Sequence, residues 1–433
     1  LAFYGNLLIC LKNSFLISAD TENLFFLPII IIFLLSSISS LIFVIVINFK
    51  YFISPVFLIP IIFLINEFII SNLIYGFPWI TFSLITSNAN FLSFIIKHFG
   101  TFITSFIVIQ ILCCPYFFLS KNIKKINNIF FSIFIIIPLL VSLLFNIFSN
   151  SEIKRQKTIS LEIFQLNQPI DSINLNQEKQ LLEIVNLISN SKSDILIFGE
   201  NNYPYLINNK AIQEIKGLLK NHQTVIIGGT RSINDQYFNT LMSIEKSKVV
   251  FFDKKILVPF GEFLPLRKYL GFMESISGFN DYSQGDKRRI IKTSNNLNFI
   301  PIICYEIIFY WNLINKVNRN ADFLVNITND IWFGNYIGPY QHFYLSKLRA
   351  TEFNKLLIRT SNNGISAIID QDGKIINYSD LNIKAKLEQK IQIISEKNFY
   401  LIHIFLNVYF ALILILFIII ILLTKYGIIK SKI

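Results

Sequence analysis

The amino-acid sequence predicts a multi-span α-helical membrane domain joined to an α/β domain. The first observation behind this prediction is a set of long apolar runs, each near the roughly 20 residues that a helix needs to cross a bilayer. The second is a change of character after residue 150, where charged residues return and short apolar runs alternate with helical patterns. The composition agrees, since 53% hydrophobic and 15% charged residues are more apolar than an ordinary soluble protein.

The apolar runs divide the chain into three parts. Residues 1–150 are predicted to form an N-terminal transmembrane domain, 151–399 an extracytoplasmic α/β domain, and 400–433 a C-terminal transmembrane helix with a basic tail. Residues 3–17 have the composition of a further, partial span. Because the chain begins with Leu1 rather than Met, we expect the first domain to be truncated at its start. The predicted spans lie at residues 24–49, 52–71, 99–119, 129–149 and 400–424.

Lysine placement predicts the orientation of these spans. Residues 120–128 contain three lysines, Lys50 follows the first long run, and the tail contains Lys425, Lys430 and Lys432. Placing all three basic segments in the cytoplasm satisfies the positive-inside rule. Residues 150–399 then lie on the extracytoplasmic side. The net charge of +12 is explained by these scattered basic residues, so we do not expect a nucleic-acid partner.

Residues 151–399 have the alternating pattern of an α/β domain with buried strands. The predicted helices cover residues 177–189, 210–220 and 340–354. The predicted strands cover residues 160–167, 194–198, 224–229, 249–253, 298–304 and 323–327, and residues 358–369 form a further apolar run that a turn at residues 362–364 interrupts.

Three chemically capable side chains follow predicted strands: Glu200, Lys254 and Cys304. Functional groups gather at strand ends in α/β sheets, because the loops there are free to adopt special shapes. A carboxylate base, an ammonium and a thiol can together form a covalent catalytic set. However, a cysteine after an apolar run is more often a small buried residue, and a Glu or Lys there is more often solvated. These residues alone leave both interpretations open.

Short motifs around these residues resemble a known family. They read FGE at residues 198–200, KKILVPFGE at 254–262, CYE at 304–306, NITNDIWFG at 326–334 and LRATEFNKLLIRTSNNG at 348–364, with GFPW at 76–79 in the membrane part. In this order, the set resembles the nitrilase (carbon-nitrogen hydrolase) superfamily and, within it, the apolipoprotein N-acyltransferases. Two neighbours depart from the family pattern: Ile256 replaces a common His, and Phe198–Gly199 replaces Trp-Pro.

The resemblance implies an αββα sandwich with a catalytic triad of Glu200, Lys254 and Cys304. It also implies supporting roles for Glu262, Tyr305 and Glu306. A buried Glu262 could orient the lysine, or it could form a salt bridge in a turn. Glu306 could pair with charge beside the nucleophile, or it could hold the turn after the strand. For Asn329, Asp330 and Trp332 we favour structural roles. The GFPW segment is either a wall for lipid or a turn with an interfacial Trp.

The same resemblance implies the reaction and its partners. An acyl chain would pass from a phospholipid donor to the N-terminal amine of a diacylglyceryl-modified apolipoprotein, through a thioester on Cys304, with no metal or organic cofactor. The enzyme would lie in the bacterial inner (cytoplasmic) membrane as a multi-pass protein, with its catalytic domain on the periplasmic side.

The sequence leaves two alternative functions open, and it also leaves the role of one loop undecided. The chain could be a membrane-tethered amidase that hydrolyses a small amide, because the same triad can use water as the acceptor. It could also be an inactive relative that serves as a membrane binding or transport protein. Residues 263–285 mix apolar side chains with glycines and are either a mobile lid for acyl chains or an ordinary surface loop.

Overall fold

The computed structural model describes residues 1–16, 19–22, 24–47, 55–88, 93–119, 136, 140, 143–144, 153–169, 177–270, 280–286, 290–313, 320–396, 411 and 415. In this part of the chain the strands form two six-stranded sheets. The strands are β1 (Ile153–Gln165), β2 (Ile195–Phe198), β3 (Thr224–Ile233), β4 (Gln236–Glu245), β5 (Val249–Asp253), β6 (Ile291–Lys292), β7 (Asn298–Ile303), β8 (Phe323–Thr328), β9 (Leu356–Ser361), β10 (Ala367–Ile369), β11 (Ile375–Tyr378) and β12 (Ala385–Glu396).

Helices cover the sheets and form the N-terminal part. The α-helices are α1 (Ala2–Leu8), α2 (Ala19–Glu22), α3 (Leu27–Ile47), α4 (Pro55–Asn72), α5 (Ser93–Leu119), α6 (Gln177–Asn190), α7 (Asn209–Leu218), α8 (Arg267–Leu270), α9 (Tyr310–Leu313) and α10 (Ile337–Glu352). Short 3-10 helices span Ile9–Phe15, Phe82–Ser87, Cys304–Ile308 and Asp330–Phe333.

Each sheet combines a parallel centre with antiparallel edges. The first has the order β12-β1-β2-β3-β4-β5, and the second β11-β10-β9-β8-β7-β6. Strands β1, β2 and β3 are parallel neighbours, as are β7, β8 and β9. Because parallel neighbours end at the same edge of a sheet, residues that follow β7 and β8 lie close together.

The two sheets pack face to face around one hydrophobic core. Along β2, Ile195 and Ile197 belong to the core shared with the second sheet, whereas Leu196 and Phe198 pack in a second cluster with residues of α6 and α7. This alternation is the two-residue period of a strand that is buried on both faces. The layered arrangement confirms the predicted α/β sandwich.

The described residues support the membrane prediction only in part. Two helical segments, Leu27–Ile47 and Ser93–Tyr116, are long and apolar enough to cross a bilayer, whereas the apolar segment Leu58–Asn72 is shorter. The predicted spans at residues 129–149 and 400–424 lie outside the described residues, apart from a few isolated positions. A multi-span domain therefore stays a prediction.

The first residues, which were predicted as a partial span, form two short helices. They form the seven-residue helix α1 and the 3-10 helix Ile9–Phe15, which are each too short to cross a bilayer. The second of these helices rests on the catalytic domain instead. Asn13 Nδ2 donates to the carbonyl of Phe333 over 3.1 Å, and Ser14 Oγ donates to the carbonyl of Trp332 over 2.7 Å. Apolar composition alone could not distinguish this packing from a membrane segment.

Candidate active site

Glu200, Lys254 and Cys304 come together at one end of the two sheets. Glu200 lies two residues beyond β2, and Lys254 directly follows β5 in the same sheet, whereas Cys304 directly follows β7 in the other sheet. All three are buried, with exposures of 5%, 1% and 5%. The site therefore lies between the sheets, and the core that joins the sheets sets the spacing of its residues.

The Lys254 ammonium is shared by two carboxylates. Its Nζ lies 2.9 Å from Glu262 Oε1 and 3.3 Å from Glu200 Oε1. Burial alone would lower the pKa of Lys254, but the charges of Glu262 and Glu200 outweigh burial and raise that pKa well above its ordinary value. Lys254 is therefore a fixed positive charge in a water-poor site.

Asn239 holds the two carboxylates at this spacing. Its Nδ2 donates to Glu200 Oε1 and to Glu262 Oε1, each over 2.8 Å, and its backbone carbonyl accepts from Lys254 N. Sequence reasoning missed Asn239 because β4, on which it lies, was not predicted. If a strand had been predicted before β5, Asn239 would have stood out as the one side-chain amide in the buried half of that strand.

Backbone contacts fix the second carboxylate oxygen and the main chain of Glu200. The amide of Asn329 donates to Glu200 Oε2 over 2.9 Å. A Cβ on Gly228 of β3 would lie 2.7 Å from Glu200 Cα, so glycine at this position lets the Glu200 turn pack closely onto the sheet. Burial and the charge of Glu262 raise the pKa of Glu200, while Lys254 and Asn239 oppose that rise. The result is a carboxylate that binds a proton more readily than an exposed glutamate.

Cys304 begins the 3-10 helix that follows β7, with a φ of +48°. This left-handed conformation is uncommon for a residue with a side chain and turns the chain sharply at the end of the strand. Burial raises the pKa of the Cys304 thiol, the charge of Glu200 raises it further, and Lys254 only partly offsets them. The positive charge of Lys254, which by itself would favour a thiolate, is therefore outweighed by burial. At neutral pH Cys304 is a thiol that needs a base.

Glu306 joins the cysteine turn to the lysine turn. Its Oε1 accepts from the amides of Lys255 and Ile256 over 2.9 and 3.2 Å, and its Oε2 accepts from the amide of Ile303 over 2.9 Å. With no exposed surface, this carboxylate satisfies backbone donors on both sides of the site. The geometry matches the alternative in which Glu306 holds the turn.

Glu262 and Tyr305 occupy different sides of the site. Glu262 Oε2 accepts from the amide of Val258 over 2.8 Å, so this side chain both closes its own turn and contacts Lys254. Tyr305 faces the N-terminal part of the chain, where its hydroxyl donates to the carbonyl of Gly76 over 3.3 Å and its ring packs on Phe77 and Phe309.

A buried ionic cluster lies behind the nucleophile. Asp330 Oδ1 lies 2.8 Å from His342 Nδ1 and accepts from Thr328 Oγ1 over 3.0 Å, and Asp330 Oδ2 lies 2.6 Å from an Arg359 nitrogen. Burial would raise the pKa of Asp330, but Arg359 and His342 hold that pKa well below its ordinary value. The structural role favoured for Asp330 has a definite geometry here, although the sequence did not indicate His342 and Arg359 as its partners.

Trp79 of the GFPW segment is buried against this cluster. It is 1% exposed, its Nε1 donates to Gln341 Oε1 over 2.7 Å, and its ring stacks on His342 with centroids 5.5 Å apart. It does not have the exposure expected of an interfacial tryptophan. The GFPW segment instead connects the N-terminal part to the catalytic domain. In the part of the chain that the structure describes, no cluster of three or more His, Cys, Asp or Glu side chains is arranged to hold a metal ion.

The family profile and the curated relatives place this chain in one family. The carbon-nitrogen hydrolase family profile matches residues 163–391. An apolipoprotein N-acyltransferase from Rickettsia typhi is 31% identical over 392 residues, covering 85% of this chain and 76% of the relative. One from Wigglesworthia glossinidia brevipalpis is 35% identical over 378 residues, covering 82% and 74%. A solved carbon-nitrogen hydrolase from Helicobacter pylori aligns at 14% identity with a TM-score of 0.42, covering 54% of this chain and 89% of that one.

Proposed function

The chain belongs to the apolipoprotein N-acyltransferase family of carbon-nitrogen hydrolases, and we propose that it N-acylates lipoproteins through an acyl-enzyme on Cys304. The observation that carries the mechanism is a buried thiol beside a carboxylate–ammonium–carboxylate group. In that group Lys254 lies between Glu200 and Glu262.

In the first half-reaction, Cys304 takes an acyl group from a phospholipid ester. Glu200 accepts the thiol proton as the sulfur forms a bond to the ester carbonyl carbon. Lys254 stabilises the negative charge that develops on the carbonyl oxygen. The tetrahedral intermediate collapses with cleavage of the carbon–oxygen bond, and the protonated Glu200 gives its proton to the leaving alkoxide. The products are a thioester on Cys304 and a lysophospholipid.

In the second half-reaction, the amine of a diacylglyceryl-cysteine lipoprotein attacks the thioester. Glu200 accepts the proton that the amine loses, Lys254 again stabilises the oxyanion, and the carbon–sulfur bond breaks. The proton then returns to the Cys304 sulfur. A raised Glu200 pKa suits both steps, because a base works best when its pKa lies near the operating pH. The raised Lys254 pKa keeps the oxyanion partner charged.

The remaining site residues position these three. We propose that Glu262 and Asn239 keep the side chains of Lys254 and Glu200 at their observed spacing. We also propose that Glu306 and Tyr305 hold the Cys304 turn in place. The contacts of Glu306 with backbone amides of Ile303, Lys255 and Ile256 support its part of this proposal. Their roles are in positioning, since none of them needs to touch the reacting atoms.

In this proposal both substrates are membrane-bound, which explains why the catalytic domain is joined to apolar helices. We propose the three-part division into residues 1–150, 151–399 and 400–433. The first and last parts would span the inner membrane several times and place the catalytic domain on the periplasmic side. The apolar segments Leu27–Ile47 and Ser93–Tyr116 and the lysine pattern support this arrangement.

An acceptor assay separates this function from the amidase alternative. Purified protein is incubated with a phospholipid and a synthetic diacylglyceryl-cysteine peptide, and the peptide mass is followed. A gain of one acyl group on the peptide amine, with one equivalent of lysophospholipid, is the expected result. Release of free fatty acid at the same rate with and without the peptide would identify a hydrolase and contradict the proposal.

A further inference from the structure

A cleft of about 320 Å³ opens beside the lysine and cysteine turns. This volume is near the lower end of the roughly 300–1,000 Å³ typical of small-molecule sites. One wall comes from the end of α4 and the segment after it, and the other comes from the residues after Lys254. The cleft is lined by Ser71, Asn72, Ile74, Tyr75, Gly76, Lys255, Ile256, Leu257, Phe263, Gln284 and Phe309.

The cleft lies next to the nucleophile. Tyr305, the residue after Cys304, donates to the carbonyl of Gly76 over 3.3 Å and packs its ring on Phe309. Gly76 and Phe309 both line the cleft. On the other wall, the amides of Lys255 and Ile256 donate to Glu306, which belongs to the cysteine turn. The cleft therefore lies beside the cysteine turn, whose residues Tyr305 and Glu306 contact both of its walls.

The lining combines one cation with neutral polar groups. Lys255 is half-buried on the wall, and among the described residues no carboxylate lies within 4 Å of its ammonium. The lining also has one hydroxyl and two amides, from Ser71, Asn72 and Gln284, and in the described part of the chain no acidic side chain lines the cleft. A half-buried ammonium among neutral hydrogen-bonding groups is suited to an oxyanion.

The cleft also has apolar and aromatic side chains, some of them exposed. Ile74 is 84% exposed, and across the cleft the rings of Tyr75 and Phe263 meet edge to face with centroids 5.2 Å apart. Close in sequence to Phe263, Leu266 and Tyr269 are 69% and 74% exposed. Exposed apolar and aromatic side chains beside a charged site fit a lipid, whose head group is ionic and whose tails are apolar.

We propose that this cleft binds the glycerophosphate head group of the acyl donor, with Lys255 as the partner of the phosphodiester. The inference rests on the proposed function, because it specifies how the phospholipid is held while its ester reaches Cys304. Lys255 is thus a specificity-determining residue for donors that carry a phosphate. It takes no part in proton transfer or in oxyanion stabilisation.

The test compares two acyl donors in detergent micelles. One is phosphatidylethanolamine, and the other is a p-nitrophenyl acyl ester that has no phosphate. Acyl-enzyme formation is timed by intact-protein mass in wild type, Lys255→Ala, Lys255→Arg and the control Lys210→Ala, whose lysine is exposed on α7. With the phospholipid, we expect Lys255→Ala to raise the half-saturating donor concentration about tenfold, since one charge-assisted contact is lost. We expect the maximal rate of Lys255→Ala to stay within about twofold of wild type. The half-saturating concentrations of Lys255→Arg and Lys210→Ala should also stay within about twofold of wild type.

The p-nitrophenyl ester shows whether the loss concerns the phosphate. It should acylate wild type and Lys255→Ala at the same rate, which also shows that the variant is folded. Equal half-saturation of wild type and Lys255→Ala with phosphatidylethanolamine would overturn the head-group site and leave the acyl-enzyme mechanism standing. Equal slowing of Lys255→Ala with both donors would also overturn it, because Lys255 would then act on the chemistry. A wild type acylated by the ester and never by phospholipid would contradict the proposed donor itself.

Discussion

The Lys254 ammonium lies closer to Glu262 than to Glu200, with Nζ–Oε1 distances of 2.9 and 3.3 Å. Glu262 also accepts from the amide of Val258, which anchors its carboxylate in a tight turn. Glu262 is therefore the better-fixed partner of the lysine. Glu200, which the mechanism uses as the base, makes the longer contact and can exchange its proton without releasing the ammonium.

Replacing Glu262 by Gln should slow acyl-enzyme formation by about 10²-fold, because a misplaced Lys254 stabilises the oxyanion poorly. Losing this carboxylate also removes the main influence that raises the Lys254 pKa, so that pKa should fall. The rate of acyl-enzyme formation at saturating phospholipid measures the effect as a function of pH. In Glu262→Gln we expect the rate to decline at high pH earlier than in wild type. A Glu262→Gln rate within twofold of wild type at every pH would contradict the anchoring role.

Asn239→Ala should shift the acidic limb of the pH–rate profile to higher pH. The amide of Asn239 lowers the Glu200 pKa by donating to the carboxylate, so its loss raises that pKa. Glu200 then stays protonated, and inactive as a base, up to a higher pH. The rate at neutral pH should fall about tenfold and recover in part under alkaline conditions. Asn377→Ala on β11 is the control, and an Asn239→Ala profile that keeps the wild-type shape would argue against this account.

The resting Cys304 should resist alkylation at neutral pH. Its thiol pKa is raised by burial and by Glu200, so little thiolate is present. The rate of reaction with iodoacetamide should therefore keep rising at pH values above about 8.5, which is the pKa of an ordinary cysteine. Glu200→Gln removes one of the raising influences and should speed alkylation at pH 8 several-fold, although it abolishes acyl transfer. Peptide mass mapping distinguishes Cys304 from the other cysteines. A plateau near pH 8 in wild type, or slower alkylation in Glu200→Gln, would contradict these electrostatics.

Asp330→Asn should destabilise the protein strongly. It leaves the buried Arg359 without its carboxylate, and breaking a buried ionic contact costs roughly 3–5 kcal/mol. The thermal midpoint in detergent should fall by more than about 5 °C, whereas the exposed control Asp235→Asn should change it little. Because the folded-state pKa of Asp330 is depressed, its stabilisation is present above its unfolded pKa of about 4 and is lost as pH falls further. The difference in thermal midpoint between wild type and Asp330→Asn should therefore become smaller below that pH. A difference that stays constant with pH would argue against an ionised Asp330.

Much of the catalytic domain could be predicted because its central strands are buried on both faces and read as short apolar runs. Strand β5 spans the predicted residues, and the strands that precede Glu200 and Cys304 end within one residue of prediction. Strands β4, β6, β11 and β12 were missed. Strands β4 and β12 mix apolar with polar side chains and contain no long apolar run, as in Gln236–Glu245. The partner strand of β12 is β1, more than 200 residues away in sequence.

The contacts within the site could be predicted less well, because they join residues that are distant in sequence. The motifs indicated Glu200, Lys254 and Cys304, but nothing in the local sequence pairs Asn239 with Glu200 and Glu262, or Arg359 with Asp330. The contact of Trp79 could not be predicted either. The GFPW motif left a position at the membrane interface open for this residue, and its partner Gln341 is 262 positions away. Local pattern indicates which side chains follow strands, and only the packing of the two sheets determines which of them meet.

The most direct test of the mechanism is the intact mass of the purified protein after incubation with phospholipid alone. Wild type should gain the mass of one acyl chain, located on Cys304 by peptide mapping, and a diacylglyceryl-cysteine peptide should discharge it faster than water does. Cys304→Ala should gain nothing. An adduct of the same mass on Cys304→Ala, or no adduct on folded wild type, would contradict the acyl-enzyme on which this account depends.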